Sequence, residues 1–224
     1  GIGVASGCDA VFLTTDKSLA EPSRLLPLAL ADDLRTGSLQ WSGHYLVNPW
    51  DQDGLVDLAH YPRLKHYLDE HIAKLSSRHC AREQKRHWYR TIDRVDAKLT
   101  GQPKLYFPDI KGCIHPVLDR GTTYPHHNLY FVVSDVWDLE VLGGLLMSRV
   151  AQFFVECYAV RMRGGFLRFQ AQYLRRIRVP RPEDITAVQA EGLRHAFGTR
   201  DVETATEIAA EIYAAPEFLS GRRP

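Results

Sequence analysis

The 224-residue sequence predicts an α+β fold: a mixed, mainly antiparallel β unit with a long core helix and a C-terminal helical hairpin. Three observations lead there. Short apolar or alternating runs, separated by turn-forming residues, recur between residues 1 and 133, as short antiparallel strands do. Over residues 138–158 the apolar side chains Leu139, Leu142, Leu146, Val150, Phe153 and Phe154 fall at helical spacing behind Asp138, a favourable N-cap. Residues 183–215 then carry two amphipathic helical patterns joined at Gly198-Thr199-Arg200-Asp201, with Asp201 as the second cap and Glu203 and Thr204 in its first turn. The expected organisation is one unit over residues 1–182 and a helical extension over 183–224 packing on it.

The elements follow in order. Residues 1–15 alternate small and apolar side chains around Ser6-Gly7-Cys8-Asp9 and predict a hairpin or strand pair. Residues 26–35 are mixed, and residues 37–47 predict a strand pair around Ser42-Gly43. Leu64, Leu68, Ile72 and Leu75 share one side of a helix over 64–74. Residues 80–90 continue as helix or turn towards Trp88-Tyr89. Lys104-Leu105-Tyr106-Phe107 is a short strand stopped by Pro108-Asp109. Two further strands are predicted over 113–118 and 128–133, with a polar turn over 119–125 between them. Residues 174–179 are a strand or a helix end, closed by Pro180.

A hydrophobic content of 45% and a charged content of 25% are ordinary for a soluble globular protein. The longest apolar stretch, residues 139–155, is interrupted by Glu140, Arg149 and Gln152, so it predicts a buried helix and no membrane association. There is no secretory signal pattern. The chain starts at Gly1-Ile2-Gly3, without Met and already in a strand-like pattern, which reads as part of a longer polypeptide. Cys8, Cys80, Cys113 and Cys157 lie far apart and form no CxxC pair, as expected of reduced thiols in a cytoplasmic protein.

The formal net charge is only +1, yet charge is segregated. Residues 161–180 carry six arginines (Arg161, Arg163, Arg168, Arg175, Arg176 and Arg178) and no acidic residue, with Phe166, Phe169 and Tyr173 interleaved. Gly164-Gly165 breaks that run and would let a backbone approach a partner closely. Residues 78–104 hold eight Lys/Arg against Glu83, Asp93 and Asp96. Guanidinium groups grip phosphates and guanine edges in a bidentate way, so two basic blocks beside a mostly acidic tail predict a nucleic-acid-binding face. The structural alternative is an arginine-rich solvated face around an aromatic cluster.

Motifs that would make the chain an enzyme are missing. Gly1-x-Gly3-x-x-x-Gly7 lacks a preceding strand, a following helix and the third-glycine spacing of a dinucleotide loop. Asn48-Pro49-Trp50 lacks the second proline of the Asn-Pro-Pro-aromatic loop of adenine methyltransferases. His126-His127 and the other histidines have no carboxylate or cysteine at ligand spacing, so no metal site is expected. No nucleophile elbow and no phosphate loop ending in Lys-Ser/Thr is present. The chain is therefore expected to have no catalytic residue and to bind no cofactor.

The order of the remaining pieces is informative. His87-Trp88-Tyr89-Arg90 precedes Pro103-Lys104-Leu105-Tyr106-Phe107-Pro108-Asp109-Ile110, then Leu118-Asp119-Arg120-Gly121, Tyr124-Pro125 and Asn128-Leu129-Tyr130. A helix carrying Leu142-Gly143-Gly144-Leu145-Leu146-Met147-Ser148 follows, and then Arg163-Gly164-Gly165-Phe166-Leu167-Arg168-Phe169, Tyr173-Leu174 and Val179-Pro180. From residue 1 to about 182 this series resembles the TaqI-like C-terminal target-recognition domain of adenine-specific DNA methyltransferases of type II and IIG restriction-modification systems. Gly3-Val4-Ala5-Ser6-Gly7-Cys8-Asp9-Ala10-Val11-Phe12 matches that family's opening Gly-Ile-x-Thr-Gly-x-Asn-x-x-Phe, with Ser6 for Thr and Asp9 for Asn. Met147 stands where the family's Leu-Leu-Asn-Ser has Asn.

The resemblance implies a domain that chooses the sequence of double-stranded DNA. Methyl transfer from S-adenosylmethionine would fall to an N-terminal catalytic domain of the same polypeptide, absent from this chain, with an endonuclease fusion also compatible. The candidate DNA contacts are Arg86, Arg90, Arg94, Lys98, Arg120, Tyr124, His126, His127, Arg161, Arg163, Gly164, Gly165 and Arg168. Trp88 and Tyr89 fit the core better than a base stack, and Asp109 fits a turn cap better than a cytosine contact. Two other classes stay open. A protein-interaction or specificity-subunit module would show an exposed apolar stripe on the 183–215 helices. A hydrolase would cluster carboxylates such as Asp109 and Asp119 near Lys104.

Overall fold

A computed structural model describes residues 1–159, 167–169 and 171–218. The fold is α+β and mainly antiparallel, with three small sheets among the described residues and a helical layer. The chain opens with a short helix α1 (Asp9–Phe12) and strand β1 (Leu13–Thr14), not with the expected hairpin. Before α1, Ile2 and Val4 form single bridges to Tyr130 and His126, so the N-terminus is stitched across the molecule. Strand β2 (Leu25–Ala29) arises in the segment read as mixed, and only Tyr45–Val47 of the expected pair forms a strand, β3. Helices α2 (Pro62–Glu70), α3 (Ile72–Ser76) and α4 (His79–Glu83) divide the predicted helix and its continuation.

The central strands are β4 (Lys104–Pro108), β5 (Ile110–Lys111), β6 (Val117–Asp119), β7 (Tyr124–Pro125) and β8 (Leu129–Val132). They are followed by helices α5 (Leu139–Met147) and α6 (Arg149–Glu156), strand β9 (Leu167–Arg168) and helix α7 (Ala171–Leu174). The hairpin is α8 (Ala187–Thr199) and α9 (Val202–Ile212). The first sheet runs β1-β3-β2-β7, the second β6-β4-β8, and β5 pairs with β9. All pairings are antiparallel except β2 with β7, where Leu28 faces Tyr124 and Ala29 faces Pro125. The last two residues of the predicted polar turn are thus a strand.

The single helix expected over 138–158 is broken at Ser148, which has extended ψ (158°). Its hydroxyl donates to the Leu145 carbonyl (2.7 Å) and accepts from the Ala151 N–H (3.2 Å), so it closes α5 and caps α6 together. Residues 174–179 follow the helix-end alternative, since α7 stops at Leu174.

One core joins the first sheet to α2 and α3 through Phe12, Leu28, Leu46, Leu64, Leu68 and Leu75. A second joins the β4 sheet to α5 and α6 and includes Phe197 of α8. The hairpin packs on α5 through Leu193 and Ala209. Arg200 sits in the left-handed region (φ 60°) between α8 and α9, and its guanidinium donates to the Pro116 carbonyl (2.7 Å). Among the described residues the hairpin leaves only Val188 and Val202 as exposed large apolar side chains, not the stripe that an assembly module would show.

Candidate nucleic-acid interface

The loop carrying the histidines is built on a buried ion pair. Lys104 and Asp119, both fully buried, meet at 3.0 Å across β4 and β6. Asp119 Oδ1 also accepts from the N–H groups of Gly121 (3.0 Å) and Thr122 (2.8 Å), and Oδ2 from the Thr123 N–H (3.0 Å) and hydroxyl (2.8 Å). The Tyr106 hydroxyl lies 3.0 Å from the Thr123 carbonyl. Gly121 is required here, because its φ is +92° and a Cβ would come 2.5 Å from the Gly101 carbonyl oxygen. Burial works against the Asp119 charge, but the Thr122 and Lys104 donors outweigh it and hold the carboxyl below its ordinary range. This network commits both Asp119 oxygens to holding the 119–123 turn and Lys104.

The chain then runs through β7 to His126 and His127. Tyr124 is buried in the first core, and burial raises its hydroxyl pKa. The structure places this candidate DNA contact in the core, since Tyr124 and Pro125 of β7 are both buried. His126 is buried, with Nδ1 3.0 Å from Asn128 Oδ1 and Nε2 3.2 Å from Asp9 Oδ2. The exposed His127 ring stacks obliquely on it, centroids 4.0 Å apart. Asp9 is held by the Ser6 hydroxyl, which donates to Oδ1 at 2.5 Å. Burial opposes ionisation of Asp9, yet Ser6 and the two histidines keep its pKa below the usual value. The histidines therefore have a carboxylate beside them after all, from 117 residues away in sequence.

The first basic block reaches the same corner. Residues 5–6 pair with residues 92–93: the Ile92 N–H donates to the Ser6 carbonyl (3.3 Å) and the Ala5 N–H to the Asp93 carboxylate (2.8 Å). Arg78, half-buried, donates to the carbonyls of Ser6, Trp88 and Arg90, so it braces this junction. Arg90 lies over the Trp50 ring (5.6 Å) and donates to Gln84 Oε1 (2.7 Å). Arg94 is exposed and caps the 50–54 turn through the Asp51 (3.4 Å) and Gln52 carbonyls. Arg86 and Lys98 are exposed on the same block. Trp88 packs at the edge of the first core, and Tyr89 donates its hydroxyl to the Val56 carbonyl (2.8 Å). Asn48 is buried, and its amide bonds the Trp50 N–H and carbonyl, so it shapes a turn.

The second basic block is described in part. Arg161, Arg163, Gly164 and Gly165 lie outside the described residues. The Arg168 backbone pairs with Ile110, and the Phe169 N–H donates to the Asp109 carbonyl (2.7 Å). The Asp109 N–H in turn donates to the Asn128 carbonyl (3.0 Å), beside the histidine corner. The backbone thus carries the first block and residues 167–169 of the second to one region, around residues 5–9, 91–93, 109–110 and 126–128. Arg120 stands apart, paired with Glu140 of α5. Sequence reasoning missed Asp9, Arg78 and Asn128. Asp9 and Arg78 meet partners distant in sequence, His126 and Ser6, whereas Asn128 turns to His126 two residues back.

The family model of the TaqI-like C-terminal specificity domain matches residues 55–179. Relatives include the type II methyltransferase M.XhoI of Xanthomonas vasicola, 49% identical over 97% of this chain and 40% of its own length. M.PaeR7I of Pseudomonas aeruginosa is 48% identical over 95% of this chain and 38% of its own. The chain thus spans about two fifths of these relatives. Among solved structures, the type IIL restriction-modification enzyme MmeI in complex with DNA has a similar fold, with TM-score 0.64 and 12% identity over 100% of this chain and 33% of that one. The type IIG restriction endonuclease BpuSI gives 0.52 and 13% over 94% and 29%.

Proposed function

The chain belongs to the TaqI-like C-terminal specificity domain family, and on that premise we propose that it selects the DNA sequence for a methyltransferase of a restriction-modification system. The partial coverage of the relatives carries the proposal. Proteins named as methyltransferases align with nearly all of this chain, while most of their length lies outside it. That remainder has room for the cofactor loop and catalytic motif this sequence lacks. We assign it to an N-terminal part of the same polypeptide, using S-adenosylmethionine and acting on adenine in the cytoplasm. Such an enzyme must swing its base out of the duplex, and neighbouring base pairs must be held in register meanwhile.

Arg86, Arg90, Arg94 and Lys98 are proposed to grip phosphates, and His127, Arg163 and Arg168 to contact base edges or the adjoining phosphates. Titration of the chain with duplex DNA at rising salt tests this. Affinity should fall steeply between low and moderate salt. Arg94→Ala should lower the salt slope by about one and weaken all sequences alike. Loss of a guanine-reading arginine should cost about 1–3 kcal/mol at one base position. Absence of binding at low salt, or binding indifferent to salt, would contradict the proposal.

A further inference from the structure

We infer that Asp9, His126 and His127 form a binding site for one divalent transition-metal ion of the imidazole-preferring kind. The inference stands apart from the DNA-recognition reading. One ligand atom from each residue lies within 4.8 Å of the other two. The closest pair, His126 Nε2 and Asp9 Oδ2, is 3.2 Å apart, against about 3.3 Å for two ligands on one tetrahedral zinc with bonds near 2.0 Å. His127 is exposed, so its ring is able to close the remaining gap. A fourth position is left to water.

The surroundings are those of a ligand set. His126 Nδ1 faces Asn128 Oδ1 at 3.0 Å, an acceptor that favours a proton on Nδ1 and so frees the Nε2 lone pair towards Asp9. With the proton on Nδ1, the Nε2 lone pair and the Asp9 carboxylate oxygen, 3.2 Å apart, together offer two donor atoms to one ion. Asp9 Oδ1 is oriented by Ser6, which leaves Oδ2 for the ion. Both inner ligands thus have the outer partners that orient metal-binding side chains. Two imidazoles and one carboxylate favour zinc, iron or nickel over magnesium or calcium, which prefer oxygen. Bound metal would clamp residues 6–9 to residues 126–128.

Calorimetry of the chain with Zn²⁺ tests this, alongside Co²⁺ absorption and melting with and without metal. The expected result is one ion per chain with an affinity in the micromolar range or tighter. Zn²⁺ should raise the melting temperature, while millimolar Mg²⁺ should not compete. Asp9→Asn and His127→Ala should each weaken binding by about tenfold or more. His127 is exposed, so metal-free melting of His127→Ala should stay close to that of the parent, whereas Asp9→Asn loses its ionic contact with His126 and is compared with its own metal-free melting. Failure to bind Zn²⁺, unchanged affinity in His127→Ala, or a thiolate-to-cobalt charge-transfer band that places the ion on a cysteine would overturn the inference.

Discussion

Asp119 illustrates how one residue sets the loop that carries the two histidines. It neutralises Lys104 and also receives the backbone of the turn that leads to His126 and His127. Asp119→Ala should destabilise the chain by about 3–5 kcal/mol, because it leaves a buried ammonium uncompensated. Lys104→Met should cost less, since Asp119 keeps its turn donors. Urea denaturation of both variants checks the order, and equal losses would show that only the ion pair matters. The pH dependence follows from the lowered pKa of Asp119. Its contribution is fully present above the unfolded value of about 3.9 and is lost as pH falls through the lower folded value. Melting below pH 4 should therefore fall more steeply for the parent than for Asp119→Asn.

Among the elements, α5 and α8 approach most closely, and glycine makes that possible. A Cβ on Gly144 would lie 2.3 Å from the Leu193 carbonyl oxygen, and one on Gly143 would lie 2.5 Å from the Phe197 ring. Glycine to alanine inside a helix ordinarily gains about 1 kcal/mol. Gly144→Ala should instead lose about 1–3 kcal/mol, because the obstacle is backbone in a filled core. Gly198→Ala, whose Cβ meets nothing within 4 Å, should show the opposite sign. Thermal melting of the two variants decides it. If both stabilise, the helices separate without cost.

For the whole molecule, the hairpin completes the core of the β unit. Leu193, Ala196 and Phe197 are buried, with Phe197 in the same cluster as Leu105 and Phe107. Removal of residues 183–224 should expose this apolar surface and give a chain that aggregates or melts without cooperativity. A truncated chain that melts within a few degrees of the parent would show instead that residues 1–182 are self-sufficient. The proposed interface has the same whole-molecule character. Residues 5–6 and 92–93, Asp109, Asn128 and β9 are joined by hydrogen bonds between segments distant in sequence.

The α+β class, strand β4, the helical periodicity before and after Ser148 and the capped hairpin were legible in the sequence, because each rests on a local period or cap. The segregation of arginines and the ordered motifs pointed to the family for the same reason: both lie along the chain. The break at Ser148 was less visible, since apolar spacing continues across it while the capping hydroxyl acts on the backbone. Other features belonged to the tertiary structure alone. Tyr124 became core because β7 pairs in parallel with a strand nearly a hundred residues earlier. Asp9 met His126 because isolated bridges carry the N-terminus across to residues 126 and 130. Sequence period reports which face of an element is buried, but it carries no information on which distant side chain arrives there.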